Sequence, residues 1–296
     1  MKVIGSYKNG NYRVTIFSDG TKVRENKLDF FIADFPESFD LKLTNSCDMG
    51  CEFCHENSVK DGKHGDIMNL EFINKLHPYT ELAIGGGNPL AHPDLIPFLR
   101  KCKNLKLIPS MTVNQIHFQA DIDLIRELVS EKLIYGIGIS VMSVTDKFIA
   151  QLKEFPNAVL HVIAGLIDTQ SLQKLANNNL KILILGYKVF RRGADLYTKH
   201  SDDIESKIIS LKDKLPEMLE ENWFDVVSFD NLALKQLSVK DLLSEEDWNE
   251  FFLGADGFAT MFVDCVEENF ARSSTSAERY ALTDDIRDMF QVIRTH

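Results

Sequence analysis

FDLKLTNSCDMGCEFCH, from Phe39 to His55, is a short strand that runs directly into a cysteine-rich loop. Phe39, Leu41 and Leu43 alternate with polar residues, the period-two pattern of a half-buried strand. The loop carries Cys47, Cys51 and Cys54 in a C-x3-C-x2-C spacing, with Phe53 just before the third cysteine. Cubane iron–sulfur clusters are held by Cys thiolates, normally four of them. Three thiolates this close in sequence let one loop wrap one cluster. The fourth iron is left without a protein ligand, an open position where chemistry can take place.

The same residues admit other chemistry. Cys47, Cys51 and Cys54 with His55 or His64 would complete a tetrahedral zinc site, although zinc sites favour paired C-x2-C units set apart in the chain. Cys51 to His55 is formally C-x-x-C-H, the attachment sequence of c-type haem, which requires an exported chain. A redox disulfide is disfavoured by the third cysteine in the loop.

Composition narrows these readings. The chain has 296 residues, enough for one large or two unequal domains. The opening segment MKVIGSYKNGNYRV has no apolar run of signal-peptide length, and no window approaches a membrane span. The expected compartment is cytoplasmic, where thiols stay reduced. Lys and Arg number 33 against 44 Asp and Glu, a net charge of −11, which argues against a broad nucleic-acid footprint.

Residues 1–36 read as β-hairpins, with Asn9-Gly10 and Asp19-Gly20 as turns between β-rich runs. This small sheet is expected to cover one end or edge of the fold, or to dock substrate by strand addition. From 37 to 234, strands at 39–45, 80–86, 105–113, 134–141, 158–166, 181–188 and near 225–230 alternate with helical patterns at roughly 69–77, 93–102, 119–131, 145–153, 170–178 and 202–221. Such alternation predicts an α/β domain with a mostly parallel sheet. Residues 235–296 depart from it. Helix starts are expected at Ser238 and Ser244, a β-ribbon over 258–264 and 268–273, and a final amphipathic helix over 283–294.

C-x3-C-x2-C with an aromatic residue before the last cysteine resembles the signature of the radical S-adenosylmethionine (SAM) enzymes. The resemblance extends over roughly Phe35 to Asn231 and implies a partial (βα)6 TIM barrel with the cysteine loop at the C-terminal ends of its strands. It also implies a [4Fe–4S] cluster on Cys47, Cys51 and Cys54, SAM on the open iron, and a reducing electron donor of flavodoxin or ferredoxin type. Gly85-Gly86-Gly87-Asn88-Pro89 looks like the family's Gly-Gly-Glu-Pro loop, whose backbone receives the SAM ammonium, with Asn88 where Glu is usual. Glycines there let a backbone approach a ligand with no Cβ in the way. Thr112 and Asn114 resemble a Thr-Asn-Gly strand end that faces SAM or substrate; as plain strand-end polars they would cap the next turn. Ser140 matches a family serine that contacts the SAM ribose or carboxylate, and Ile163–Leu166 offers an apolar wall for adenine.

Lys188 and Arg192, in a cationic loop after the sixth strand, are candidates for the SAM carboxylate or the substrate, since guanidinium forks match carboxylates. Asp230 either caps the following helix or faces substrate. Many peptide-modifying relatives carry a C-terminal extension whose cysteines bind further clusters. This chain keeps only Cys102, which reads as core, and Cys265, a candidate hydrogen-atom donor or substrate-facing thiol; two are too few for another cluster. The extension favours a peptide or protein substrate. The runner-up is a nucleoside or tRNA, and a zinc-stabilised interaction protein is the reading from another class.

Overall fold

The computed structural model describes residues 2–28 and 30–295. Turns at Gly10 and Gly20 fold the N-terminal segment into β1 (Val3–Asn9), β2 (Tyr12–Phe17) and β3 (Lys22–Glu25), an antiparallel sheet in that order. Gly10 has φ +55 and its α-hydrogen faces the Ile32 carbonyl, so a side chain there would meet backbone.

β4 (Ser38–Thr44) starts the main sheet. Phe39, Leu41 and Leu43 are at most 1% exposed, and burying each such side chain contributes about 1.5–3 kcal/mol. The chain then runs through α1 (Glu71–Asn74), β5 (Glu81–Gly86), α2 (Leu95–Asn104), β6 (Ile108–Asn114), α3 (Gln115–Ala120), α4 (Ile122–Ser130) and β7 (Gly136–Ser140). It continues with α5 (Asp146–Leu152), β8 (Ala158–Ile163), α6 (Thr169–Leu175), β9 (Lys181–Leu185), α7 (Arg192–Glu220), β10 (Val226–Phe229) and α8 (Asn231–Gln236). β4 to β10 are parallel, each beside the next in sequence. The result is a mixed α/β fold built on a large parallel sheet. Strand periodicity places these elements within a few residues of their expected positions.

Two features differ from expectation. α7 begins at Arg192, ten residues before the expected 202, and is broken by non-helical dihedrals at His200. Its apolar stripe, Ile204, Ile208, Leu211, Leu215 and Met218, starts only after that break. Residues 192–200 hold few apolar positions, so their sequence carries no helical period. The second difference lies at the C-terminus, which holds α9 (Glu245–Phe251), β11 (Thr260–Asp264), β12 (Asn269–Ala271), β13 (Tyr280–Ala281) and α10 (Ile286–Thr295). The β11–β12 ribbon forms, but β11 also pairs in parallel with β4. The C-terminal strands therefore extend the main sheet.

The N-terminal sheet lies at the N-terminal ends of the parallel strands. Asn157 Nδ2 donates to the Ser18 carbonyl at 3.1 Å, Lys181 Nζ to the Asp19 carbonyl at 3.3 Å, and Lys22 pairs with Glu81. A cavity of about 340 Å³ separates the two sheets, lined by Phe17, Ile108, Gly136 and Val159 among others. The cysteine loop leaves the opposite, C-terminal end of β4. No helix among the described residues is long and apolar enough to cross a membrane.

Candidate functional site

The cysteine loop is held by backbone on both flanks. Asn45 N donates to the Lys63 carbonyl at 2.8 Å and Cys47 N to the Val59 carbonyl at 2.9 Å, closing the loop on its own return strand. On the other side it is locked to the glycine loop after β5. Gly87 N donates to the Thr44 carbonyl and Asn88 N to the Ser46 carbonyl, each at 2.7 Å. A Cβ at Gly86, which has φ +107, would run into the Thr44 carbonyl, and one at Gly87 into that of Ser46. Gly85 is different: a Cβ there would meet nothing within 4 Å. Two glycines thus let the loops touch, and the third leaves open space beside them.

Cys47, Cys51 and Cys54 are free and half-buried. Burial pushes the thiols of Cys47 and Cys51 up from their ordinary values, so a metal binding there displaces protons. Cys47, Asp48 and His117 are the one set of three His, Cys, Asp or Glu donors among the described residues whose ligand atoms lie within 4.8 Å of one another. The three cysteines do not converge that closely. His117, 7% exposed, bonds Asp48 Oδ1 through Nε2 at 2.7 Å and pins the loop to α3.

Beneath the loop lies a buried charge network. Lys42, on the face of β4 opposite Phe39 and Leu41, is 2% exposed, with Nζ 2.9 Å from Asp264 and 3.1 Å from Glu56. Burial alone would raise the Glu56 carboxyl, but His55 and Lys42 more than offset it and hold it at about 2. Asp40, one step back on the same face, is exposed and makes no side-chain hydrogen bond or ion pair within 4.0 Å among the described residues.

The cationic loop after β9 reaches the cysteine loop. Arg192 Nη2 donates to the Ser58 carbonyl at 2.6 Å, while its buried Nε has no partner. Lys188 Nζ lies 3.3 Å from His55 Nε2 and donates to Ser274 Oγ at 3.1 Å. Several strand-end side chains are engaged locally. Asn88 Oδ1 accepts from Leu90 N at 3.2 Å and Asn114 Oδ1 from Ile116 N at 2.8 Å, both as caps. Asp230 Oδ1 accepts from Ala233 N at 2.7 Å and from Gly186 N at 2.9 Å, which caps α8 and ties β9 to it.

Thr112 and Ser140 line adjacent strands, with Asn114, Ser140 and His161 side by side in the register. The bare Cα of Gly138 makes room for the His161 ring, which burial holds neutral with a value lowered to about 4. Cys265 is not in this group. It is 2% exposed and packed on Gly65, and burial drives its thiol well up. Cys102 is core, its thiol pushed up to about 12 by burial. Lys42, Asp40, His161 and His117 escaped sequence reasoning; the signal for the first two was the polar half of the β4 alternation, which reads as a solvent face unless the sheet is known to be covered on both sides.

A cleft of about 490 Å³ opens along the tip of the loop, between Met49–Phe53, Met142, Leu166 and the Leu196 and Ile204 side of α7. Its walls are largely apolar, with His200, Asp203 and Lys207 at α7.

No family model matches the chain. Part of it is 30% identical over 86 residues to a probable GTP 3',8-cyclase of Methanococcus maripaludis, spanning 27% of this chain and 29% of the cyclase. Crystal structures of Streptococcus suis SuiB share the fold. SuiB bound to precursor peptide SuiA aligns over 88% of this chain and 65% of SuiB, with TM-score 0.58 and 15% identity. SuiB bound to S-adenosylmethionine aligns over 84% of this chain and 64% of SuiB, with TM-score 0.54 and 13% identity. The chain thus spans just under two thirds of SuiB. Motif, local sequence match and fold together support this chain as a relative of the radical SAM enzymes.

Proposed function

We propose that the chain is a radical SAM enzyme whose sheet curls as a partial (βα)6 barrel, with the cluster at the C-terminal ends of its strands. The observation that carries this is the locking of the cysteine loop to the glycine loop. It joins the loop of three half-buried free thiols, whose Cys51 lines the cleft at Met49–Phe53, to the glycine loop in which Gly85 borders open space. The donor set fits a [4Fe–4S] cluster: three free thiols in one loop, which leave the fourth iron without a protein ligand. When bound, cluster and SAM supply one-electron cleavage of the sulfonium to methionine and a 5′-deoxyadenosyl radical, which takes a hydrogen atom from the substrate.

The protein's own part is to hold, orient and exclude water. The backbone at Gly85 receives the methionyl ammonium; the Cβ-free Gly86 and Gly87 keep that backbone against the cysteine loop. The apolar cleft, with Leu166 and Met142, seats the adenine, and Ser140 with Thr112 faces the ribose or carboxylate. Arg192, whose Nε lacks a protein acceptor, contributes positive charge beside a cluster site built from thiolates. The favoured substrate is a peptide or protein, supported by the SuiA complex of the structural neighbour. A nucleotide is the second reading, favoured by the local match to the cyclase. The electron donor is of flavodoxin or ferredoxin type, and the compartment cytoplasmic.

Anaerobic reconstitution tests this. The wild-type chain is expected to bind close to four irons and four sulfides. Dithionite and SAM should then yield 5′-deoxyadenosine, and replacing Cys47, Cys51 and Cys54 by Ala should abolish both. One zinc per chain with SAM left intact would overturn the proposal.

A further inference from the structure

Lys188 and Arg279 are half-buried cations with no carboxylate oxygen within 4.0 Å among the described residues. In a chain of net charge −11 that is unusual, because a desolvated charge with no paired carboxylate is costly; Asp40 acts on Lys188 only at longer range. They reach one point from different elements. Lys188 follows β9, and Arg279 lies between β12 and β13. Lys188 Nζ donates to Ser274 Oγ at 3.1 Å and Arg279 Nη2 to the Ser274 carbonyl at 2.5 Å.

The guanidinium is fixed in place. Its Nε donates to the Ser276 carbonyl at 3.1 Å, and its carbon lies 4.9 Å from the centroid of the Phe262 ring. These contacts leave Nη1 without a protein acceptor. Phe262 pairs with Asp40 in the β11–β4 register, so this fork stands over the same face of the sheet that carries Asp40 and Lys42. Two acids act on Arg279 at longer range, Asp264 and Glu56, and both are already bonded to Lys42. The turn that holds the fork is itself braced, with Ser273 N donating to Ser276 Oγ at 3.0 Å.

We propose that Lys188 and Arg279 form an oxyanion subsite for the substrate, in which a carboxylate or phosphate group docks between the ammonium and Nη1, beside His55 of the cysteine loop. A planar fork plus a mobile ammonium is the pairing that suits either oxyanion. The proposal names a substrate feature for the enzyme read above and rests on that reading for its meaning. Its test reads binding rather than turnover.

The cluster-loaded full chain is titrated with inorganic phosphate and, separately, with glutarate, following the unfolding temperature at constant ionic strength set with sodium chloride. A saturable rise is expected with at least one of them; phosphate alone points to a nucleotide or phosphoester substrate, glutarate alone to an acidic peptide. The half-saturating concentration should rise at least tenfold in Lys188→Met and in Arg279→Met and largely recover in Arg279→Lys. Should Arg279→Met fail to fold, since Arg279 also spans its own turn, Lys188→Met decides, because its ammonium bonds only side chains. No saturable rise in the wild type, or an unchanged half-saturation in Lys188→Met, overturns the subsite. Iron content and SAM cleavage are measured on the same wild-type preparation, so a failure of the radical SAM reading is seen separately.

Discussion

Glu37 shows how firmly single side chains hold the N-terminal sheet to the rest. Its carboxylate is fully buried and meets Tyr12 Oη at 2.5 Å, Arg24 Nε at 2.9 Å and Lys22 Nζ at 3.2 Å. Burial would raise it, but Lys22, Arg24 and the hydrogen bonds win and hold it below the usual carboxylate range. A depressed carboxyl stabilises the fold above its unfolded value, 4.5, and that stability is lost as pH falls through the folded value. Glu37→Gln should therefore cost about 3–5 kcal/mol in urea unfolding at neutral pH, since Arg24 loses its counter-ion and Lys22 keeps only Glu81. The variant's stability should also fall less steeply below pH 4.5 than the wild type's; a loss under about 1 kcal/mol would refute this. Residues of this kind are the least legible in sequence. Glu37, Lys42 and Asp264 lie in segments that read simply as polar, and their pairing depends on strands far apart in the chain. The three cysteines stand out in sequence because a metal-binding proposal for them needs only local spacing, and the structure keeps all three free in one loop. Asn114 and Asp230 carried two readings each, and the hydrogen bonds show both capping; Asn88 also caps, which its reading did not include.

Among elements, the β4 and β5 ends carry the sharpest contrast. Gly86→Ala puts a methyl into the Thr44 carbonyl at a backbone angle that favours glycine, whereas Gly85→Ala faces open space. The first should destabilise the chain by about 1–3 kcal/mol and lower iron retention. The second should leave the unfolding midpoint within about 0.5 kcal/mol of wild type while weakening SAM binding, measured by equilibrium dialysis. Equal stability of the two variants would remove the packing role given to Gly86. Strand positions were readable from apolar runs such as Leu82–Ile84 and Ile137–Ile139, because a strand covered on both faces must be built from them. The start of α7 was not, since helix there follows from the docking of Gly193 against Lys188 and Phe53 rather than from any apolar stripe.

At the scale of the whole molecule, β11 matters most. It covers the edge of β4 and brings Asp264 to Lys42, so the C-terminal strands form one wall of the cysteine-loop support. Asp264→Asn keeps the β11–β4 pairing but leaves Lys42 with Glu56 alone, and should cost about 1–3 kcal/mol with visible loss of bound iron. Wild-type stability and iron content in that variant would refute the link. This pairing was invisible in the sequence: a ribbon can be read from its own alternation, but not the older strand it will join. Lys42 and Asp264 are 222 residues apart. At a synthesis rate of about 5–20 residues per second, the ribosome emits the first roughly 10–45 seconds before the second. A nascent chain therefore exposes its thiols before the lysine below them has found its anchor, and the support beneath the proposed cluster loop is complete only once translation has passed β11.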